Sequence, residues 1–351
     1  MNYLTTMILY GLEAFKGERT AYAVYHLLMG KKSAQTIQDG KLYRLSSFFQ
    51  SFPYLKKDSF SRYVKQLKDQ KYIKEKEEEK DKWTVTEEGR TYLQEQLQRF
   101  PLSPYIDGWR YMNISGLFFI RLTLLVQTLS HLVYNESYFL PVSQDLKVQS
   151  WMKHFLKRQH ASRNELAKQL FLELHACLDG CLSMEADVFL LQFSGFQRAG
   201  LTKKQIGDGY GIDEHRVHYI QLSVLHYCLQ KVMETPSSYP LLNSLIPEAD
   251  SPVPLTVSTM KTWGLLKQGK TVDEVMAIRR LKRSTIEDHL VELALFVPAF
   301  SIGEYVPEQL QRQIVSAIET LKTNKLKEIK ENLGEDATYF QVRIVMAKYF
   351  S

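Results

Sequence analysis

Cysteine is scarce in this chain, three among 351 residues, which excludes a disulfide framework and suits a reducing compartment. The signatures of catalysis are missing too. No strained turn sets a serine between glycines, no helix pairs two histidines with a glutamate, and no glycine-rich turn is placed to cradle a dinucleotide. Neither an enzyme nor a cofactor or metal is therefore expected. His175, Cys177 and Cys181, with His226 and Cys228 farther on, fall in helical, apolar sequence rather than on a metal-binding knuckle, and read as core. Long apolar runs are also absent: the longest, 117–129, is interrupted by Arg121, Thr123, Gln127 and Thr128, which predicts a buried helix and no membrane span. No basic segment followed by an apolar one opens the chain, so a cytoplasmic, nucleoid-associated location is expected. Charge of one sign is modest. A net +6 with a pI near 8.9 favours an acidic partner only weakly, and any DNA affinity resting on it would depend strongly on salt.

What the chain does have is a recurring spacing. An apolar residue late in one helix, a turn, and a second apolar anchor eleven positions on link Ile206 with Val217, Val275 with Ile286 and Ile329 with Phe340. In two copies a glycine, Gly211 or Gly334, stands five residues after the first anchor, where the turn of a helix-turn-helix needs a residue that tolerates positive φ. Arg280 takes that place in the remaining copy. Apolar residues are 44% of the chain, so chance alone often produces the spacing, and the neighbouring capping signals carry part of the weight. Thr202 with Gln205, Thr271 with Glu274 and Ser284 with Glu287 each read as a capping box.

The fold class expected is mainly α, with an N-terminal winged helix and short β-wing, a helical middle domain and a C-terminal helix-turn-helix domain. Residues 1–100 read as the winged helix. Helices cover Tyr3–Phe15 and Thr20–Met29, Ser33 caps a third element, and Asp58 caps a helix that turns Phe60, Val64 and Leu67 inward. Tyr72-Ile73 and Trp83 to Val85 then form two strands joined by a charged tip, Glu75 to Lys82, and Thr86 to Gly89 leads into a closing helix. Pro101 and Pro104 break the chain. Residues 101–234 form the helical middle domain, 235–254 a linker with five prolines, and 255–351 the C-terminal domain. Tyr239, Leu241, Leu242, Leu245 and Ile246 are more than a solvated spacer needs, so the linker is expected to dock on a domain or a partner.

Four surfaces are candidates for nucleic acid. From Asp58 to Gln70, Arg62, Lys65, Gln66 and Lys68 point outward, donors suited to phosphates and guanine edges, and Lys56, Lys57 and Lys71 extend that face. The wing argues the other way, since four lysines and five acids lie between Lys74 and Lys82. Lys31, Lys32 and Ser33 could hold an anion at a helix N-terminus; the plainer alternative is a basic turn before a capped helix. In the middle domain Lys203, Lys204 and Arg216, with His215, His218 and Tyr219, read either as a contact surface or as half-buried interface residues. Arg279, Arg280, Lys282 and Arg283, with Ser284 and Thr285, form a possible phosphate clamp before the last domain's second helix, although Glu287, Asp288 and Glu292 make the face beyond it acidic.

The stretches Gly269 to Val275, Ser284 to Leu290, and Leu326 to Ile329 through Leu333-Gly334 to Arg343 resemble the helix-turn-helix module at the C-terminal end of RecQ-type DNA helicases. Across its length, with Gly17 to Thr20 and Gly30 to Asp39 as the N-terminal matches, the chain resembles the YpbB family of Gram-positive bacteria. Members of that family are encoded beside a short RecQ-type helicase. The resemblance implies a non-catalytic DNA-binding and docking partner of such a helicase, supplying accessory domains in trans for recombination or repair on duplex, forked or single-stranded DNA. The order of winged helix, helical connector and terminal module after the linker suits a mobile terminal module. Two other readings stay open: a sequence-specific transcriptional regulator acting through 58–70, and a protein-only adaptor.

Overall fold

The computed structural model describes residues 1–77, 79–248 and 255–350. Helices α1 (Tyr3–Phe15), α2 (Ala21–Met29), α3 (Ala34–Leu42) and α4 (Lys57–Asp69) precede an antiparallel hairpin, β1 (Ile73–Lys76) and β2 (Glu79–Val85). Next come α5 (Glu87–Arg99), α6 (Gly108–Tyr111), α7 (Ser115–Val133), α8 (Leu146–Lys157), α9 (Arg163–Leu178) and α10 (Ser183–Leu190). After them follow α11 (Lys203–Tyr210), α12 (Glu214–Glu234) and α13 (Pro240–Leu245). The C-terminal segment holds α14 (Val257–Leu266), α15 (Val272–Arg279), α16 (Arg283–Phe296), α17 (Glu308–Leu321), α18 (Leu326–Leu333) and α19 (Tyr339–Tyr349). By contact, the described residues divide into two compact units: 1–4, 101–107 and 111–248 in one, 5–100, 108–110 and 255–350 in the other.

In the first unit, α7 turns Phe118, Leu122, Leu125 and Leu129 to one face, and these meet Leu166 and Leu170 of α9 and Val217, Ile220 and Val224 of α12 in a single core. This helix is longer than the apolar run suggested. At 19 residues with mean hydropathy 1.5, it is long and apolar enough to cross a membrane by length and composition. Its Phe118, Leu122, Leu124, Leu125 and Leu129 are buried in this core, as the reading of 117–129 as a buried helix expected. Its Arg121 donates to the Leu245 carbonyl at 3.0 Å. The expected linker is helical over 240–245, where α13 forms, and Tyr239, Leu241, Leu242 and Leu245 are buried in this unit's core, the docking on a domain that their apolar character predicted. The buried carboxylate of Glu173 accepts from the Leu241 and Leu242 amides at 3.1 and 2.9 Å, capping this short helix from another element. Residues 249–254 of that linker lie outside the described residues.

The second unit is organised around α3, whose sequence carries little hydrophobic signal. Gln38 and Asp39 are nevertheless 1% and 2% exposed, because each is met by a partner brought in from elsewhere. Arg19 Nε pairs with Asp39 at 2.8 Å, while Gln38 and Arg343 exchange two hydrogen bonds of 3.2 Å and Arg343 pairs with Asp288 at 2.8 Å. Trp109 packs edge-on against Phe49 at 4.9 Å and stacks on Phe296 at 4.7 Å. Removing one partner of the buried Arg19–Asp39 pair would leave the other charge uncompensated in the interior. Residues 255–350 are thus packed on the N-terminal segment, where a mobile terminal module was expected.

The hairpin is longer than anticipated. Ile73 pairs with Val85 and Glu75 with Trp83, and most of the stretch read as a charged tip is strand. Its charges support pairing rather than oppose it, since Glu79 bridges Lys76 across the strands at 3.4 Å and Lys82 of its own strand at 2.5 Å. Thr86 caps α5 by accepting from the Gly89 amide at 3.1 Å. Gly89 packs where a Cβ would stand 2.2 Å from the Tyr72 carbonyl oxygen, so only glycine lets α5 approach the hairpin this closely.

Candidate nucleic-acid interface

On α4 the period-3.6 reading is reproduced. Phe60, Val64 and Leu67 are buried and Arg62, Lys65, Gln66 and Lys68 exposed. The helix begins earlier than expected, with Lys56 rather than Asp58 at the N-cap position and no side-chain cap. Its first amides, the positive end of the helix dipole, are left beside two lysines. Arg62 donates to Ser59 Oγ at 3.0 Å and Lys68 lies 5.5 Å over the Trp83 ring. Arg62, Lys65 and Lys68 enter no ion pair among the described residues.

The tertiary structure joins two surfaces that are separate in sequence. Ser33 caps α3 through the Thr36 amide at 3.4 Å, and Gly30 closes α2 at φ 81°, so the plainer reading of the Gly30–Ser33 turn is realised. Yet Lys31 is exposed and, like Lys57 of α4, bears on His26. Burial, then these two cations, hold the His26 imidazole below its ordinary value. Lys57 also lies 4.9 Å over Tyr22, whose hydroxyl is 3.4 Å from Ser61 Oγ. Lys32 bears instead on Glu292, whose carboxyl pKa is raised by burial and only partly held down by hydrogen bonds from Thr256 and Thr259 and by the Lys32 charge. Nothing in the sequence marked His26 or Tyr22, which belong to the surface only through packing of α2 on α4.

Three of the other candidates are corrected. Arg216 is 8% exposed, its guanidinium 4.8 Å over the Tyr3 ring and 5.5 Å over Tyr219, so it faces the core. Lys203 lies 2.8 Å from His218 Nδ1, and burial lowers its pKa; Lys204 alone of that trio is exposed. Arg279 reaches α14, donating to the Ser258 carbonyl at 2.7 Å and to Thr262. Arg283 pairs with Asp273 and Glu287 at 3.3 and 3.5 Å, while Arg280, Lys282 and Ser284 are exposed and Thr285 half-buried.

The helix-turn-helix spacing itself holds. Ile206, Val217, Val275, Ile286 and Ile329 are buried, Phe340 half-buried. Capping boxes form at Thr202–Gln205 and Thr271–Glu274. None forms at Ser284, because Lys282 is the N-cap of α16 and Ser284 sits inside its first turn. Beyond that turn α16 is covered: residues 289–295 are buried, with Glu292 accepting from Thr256 and Thr259 and His289 paired with Thr262 at 2.9 Å. Its open face is the first turn together with half-buried Glu287 and Asp288, two carboxylates that follow it.

Residues 258–346 match the model of a family described as a helix-turn-helix domain, a domain type that supports binding to DNA. No solved structure matches the chain. Protein YpbB of Bacillus subtilis (strain 168) is 34% identical over 348 residues, covering 99% of this chain and 98% of that protein. With likeness at that level running from end to end, the chain belongs to the YpbB family.

Proposed function

We propose that this protein is a non-catalytic DNA-binding and docking partner of a RecQ-type DNA helicase, supplying accessory domains in trans for recombination or repair. The single observation that carries DNA binding is the cationic surface of α4: an uncapped helix N-terminus, Lys57 and Lys31 converging on His26, and Arg62, Lys65 and Lys68 exposed without ion pairs. In this reading α4, the hairpin and α5 act as a winged helix, with α4 against the backbone and major groove. The helicase partner is supported by the resemblance of the C-terminal segment to the module at the end of those enzymes. Mobility shifts of duplex, single-stranded and forked DNA at two salt concentrations test the first part, and recovery of a helicase on the immobilised protein tests the second. Failure of either at low salt removes that part.

A protein-only adaptor is the second reading, favoured by the inward use of Arg216, Lys203 and Arg279. It requires that neutralising Arg62, Lys65 and Lys68 leaves cellular activity unchanged.

A further inference from the structure

The first unit carries an apolar groove that DNA binding does not explain. Two adjoining hollows, of about 430 and about 460 Å³, share Phe171 and Leu174 of α9 and Leu190 of α10, and so run together along α9. Phe171 is 64% exposed on their common wall; Leu172 and Leu182, each next in sequence to a lining residue but outside the lining itself, are 55% and 71% exposed. Large apolar side chains left in water at this density mark a surface that gains by being covered. Charge sits at the ends. Arg198 lines the first hollow and Asp179 the second, and neither enters an ion pair among the described residues.

We propose that this groove is a docking site for an amphipathic helix of a partner protein, with an acidic residue toward Arg198 and a basic residue toward Asp179. The lining of α9 runs from Ala167 to Asp179, about 18 Å at 1.5 Å per residue, the length of roughly three helical turns. A guest of that length presents apolar residues at i, i+4 and i+7 to the Phe171–Leu174–Leu190 wall, the usual pattern of a helix laid in a groove. The opposite charges at the two ends select its direction. A nucleic acid fits poorly, because a single arginine set against a carboxylate cannot track a phosphate backbone. A second copy seated reciprocally in the groove would instead make the protein dimerise with concentration.

The test selects 16-residue helical peptides from a displayed library on the full-length protein. Enrichment of apolar residues at i, i+4 and i+7 between an acid and a base is expected. Phe171→Glu, and more mildly Phe171→Ala, should weaken the selected peptide about tenfold or more, as loss of a central aromatic anchor does. Arg198→Glu should convert the acid preference into a basic one. Bound peptide should also protect Cys181, half-buried in the second hollow, from alkylation. The proposal is overturned if no peptide is enriched, if affinity ignores Phe171→Glu and Arg198→Glu, or if Phe171→Glu abolishes a concentration-dependent dimer. DNA binding through α4 takes no part in these readouts, so the two readings fail independently.

Discussion

Replacing Arg62, Lys65 and Lys68 together by alanine tests the α4 interface most directly. All three are exposed and enter no ion pair among the described residues, their contacts being the Ser59 hydroxyl for Arg62 and the Trp83 ring for Lys68, so each change should leave stability within about 0.5 kcal/mol of the parent. Each phosphate neutralised on duplex DNA contributes about 0.9 to the slope of log affinity against log salt. Taking these three residues with Lys31 and Lys57 as the phosphate contacts gives five cations. Five phosphate contacts give a slope of about −4.5, so that a fourfold rise in salt weakens binding by roughly 500-fold. The triple variant should retain a slope of about −1.8 and lose only about tenfold over the same range. Fluorescence anisotropy of labelled duplex at four salt concentrations measures both slopes, with thermal unfolding run in parallel. A slope that stays within one phosphate of the parent refutes the assignment. So does a slope that falls only when Arg280 and Lys282 at the start of α16 are replaced.

Gly89→Ala should destabilise the second unit by about 1–3 kcal/mol, since the new methyl meets the Tyr72 carbonyl and Val85; urea unfolding would show it as a lower midpoint. Arg280 holds φ 52° and ψ 44° at the end of α15, a left-handed conformation costing about 1 kcal/mol for a residue with a Cβ, so Arg280→Gly should raise the unfolding midpoint while removing a cation. Burial depresses His226 to about 3, and burial with the Arg279 charge depresses His289 to about 4. Below pH 6.5 the unfolded chain therefore takes up protons that the folded chain refuses. Their contribution is full above that pH and is lost as pH falls toward the depressed values, at about 1.4 kcal/mol per pH unit for His226. Thermal unfolding from pH 7.5 to 4.5 checks the sign, and a flat profile contradicts neutral burial of both rings.

Local signals were legible wherever a short segment settles its own structure. The inward spacing of Phe60, Val64 and Leu67, the caps at Ser33, Thr202 and Thr271, and the eleven-residue anchors rest on hydrogen bonds and periodicity within a few residues. Errors arose where two local solutions compete. Asp58 and Ser284 are good capping residues, yet each lies inside a first turn because the helix begins at a lysine before it. The hairpin was read as two strands, but its charged middle looked like a loop because cross-strand ion pairing is invisible along one strand. At α13, six residues opened by a proline read as linker until Glu173, far off in the chain, supplied the missing cap.

By itself the sequence determined that this is a mainly helical chain with helix-turn-helix units and a cationic, amphipathic α4, because those features follow from spacing and capping inside single elements. Only the tertiary structure decided which cations are available. Arg216 and Arg279 have the same charge as Arg62, but aromatic faces and hydroxyls met them first and turned them inward. Lys31 and Lys57 came together for the same physical reason: a guanidinium or ammonium goes wherever packing leaves it a partner or water, and that choice belongs to elements distant in the chain.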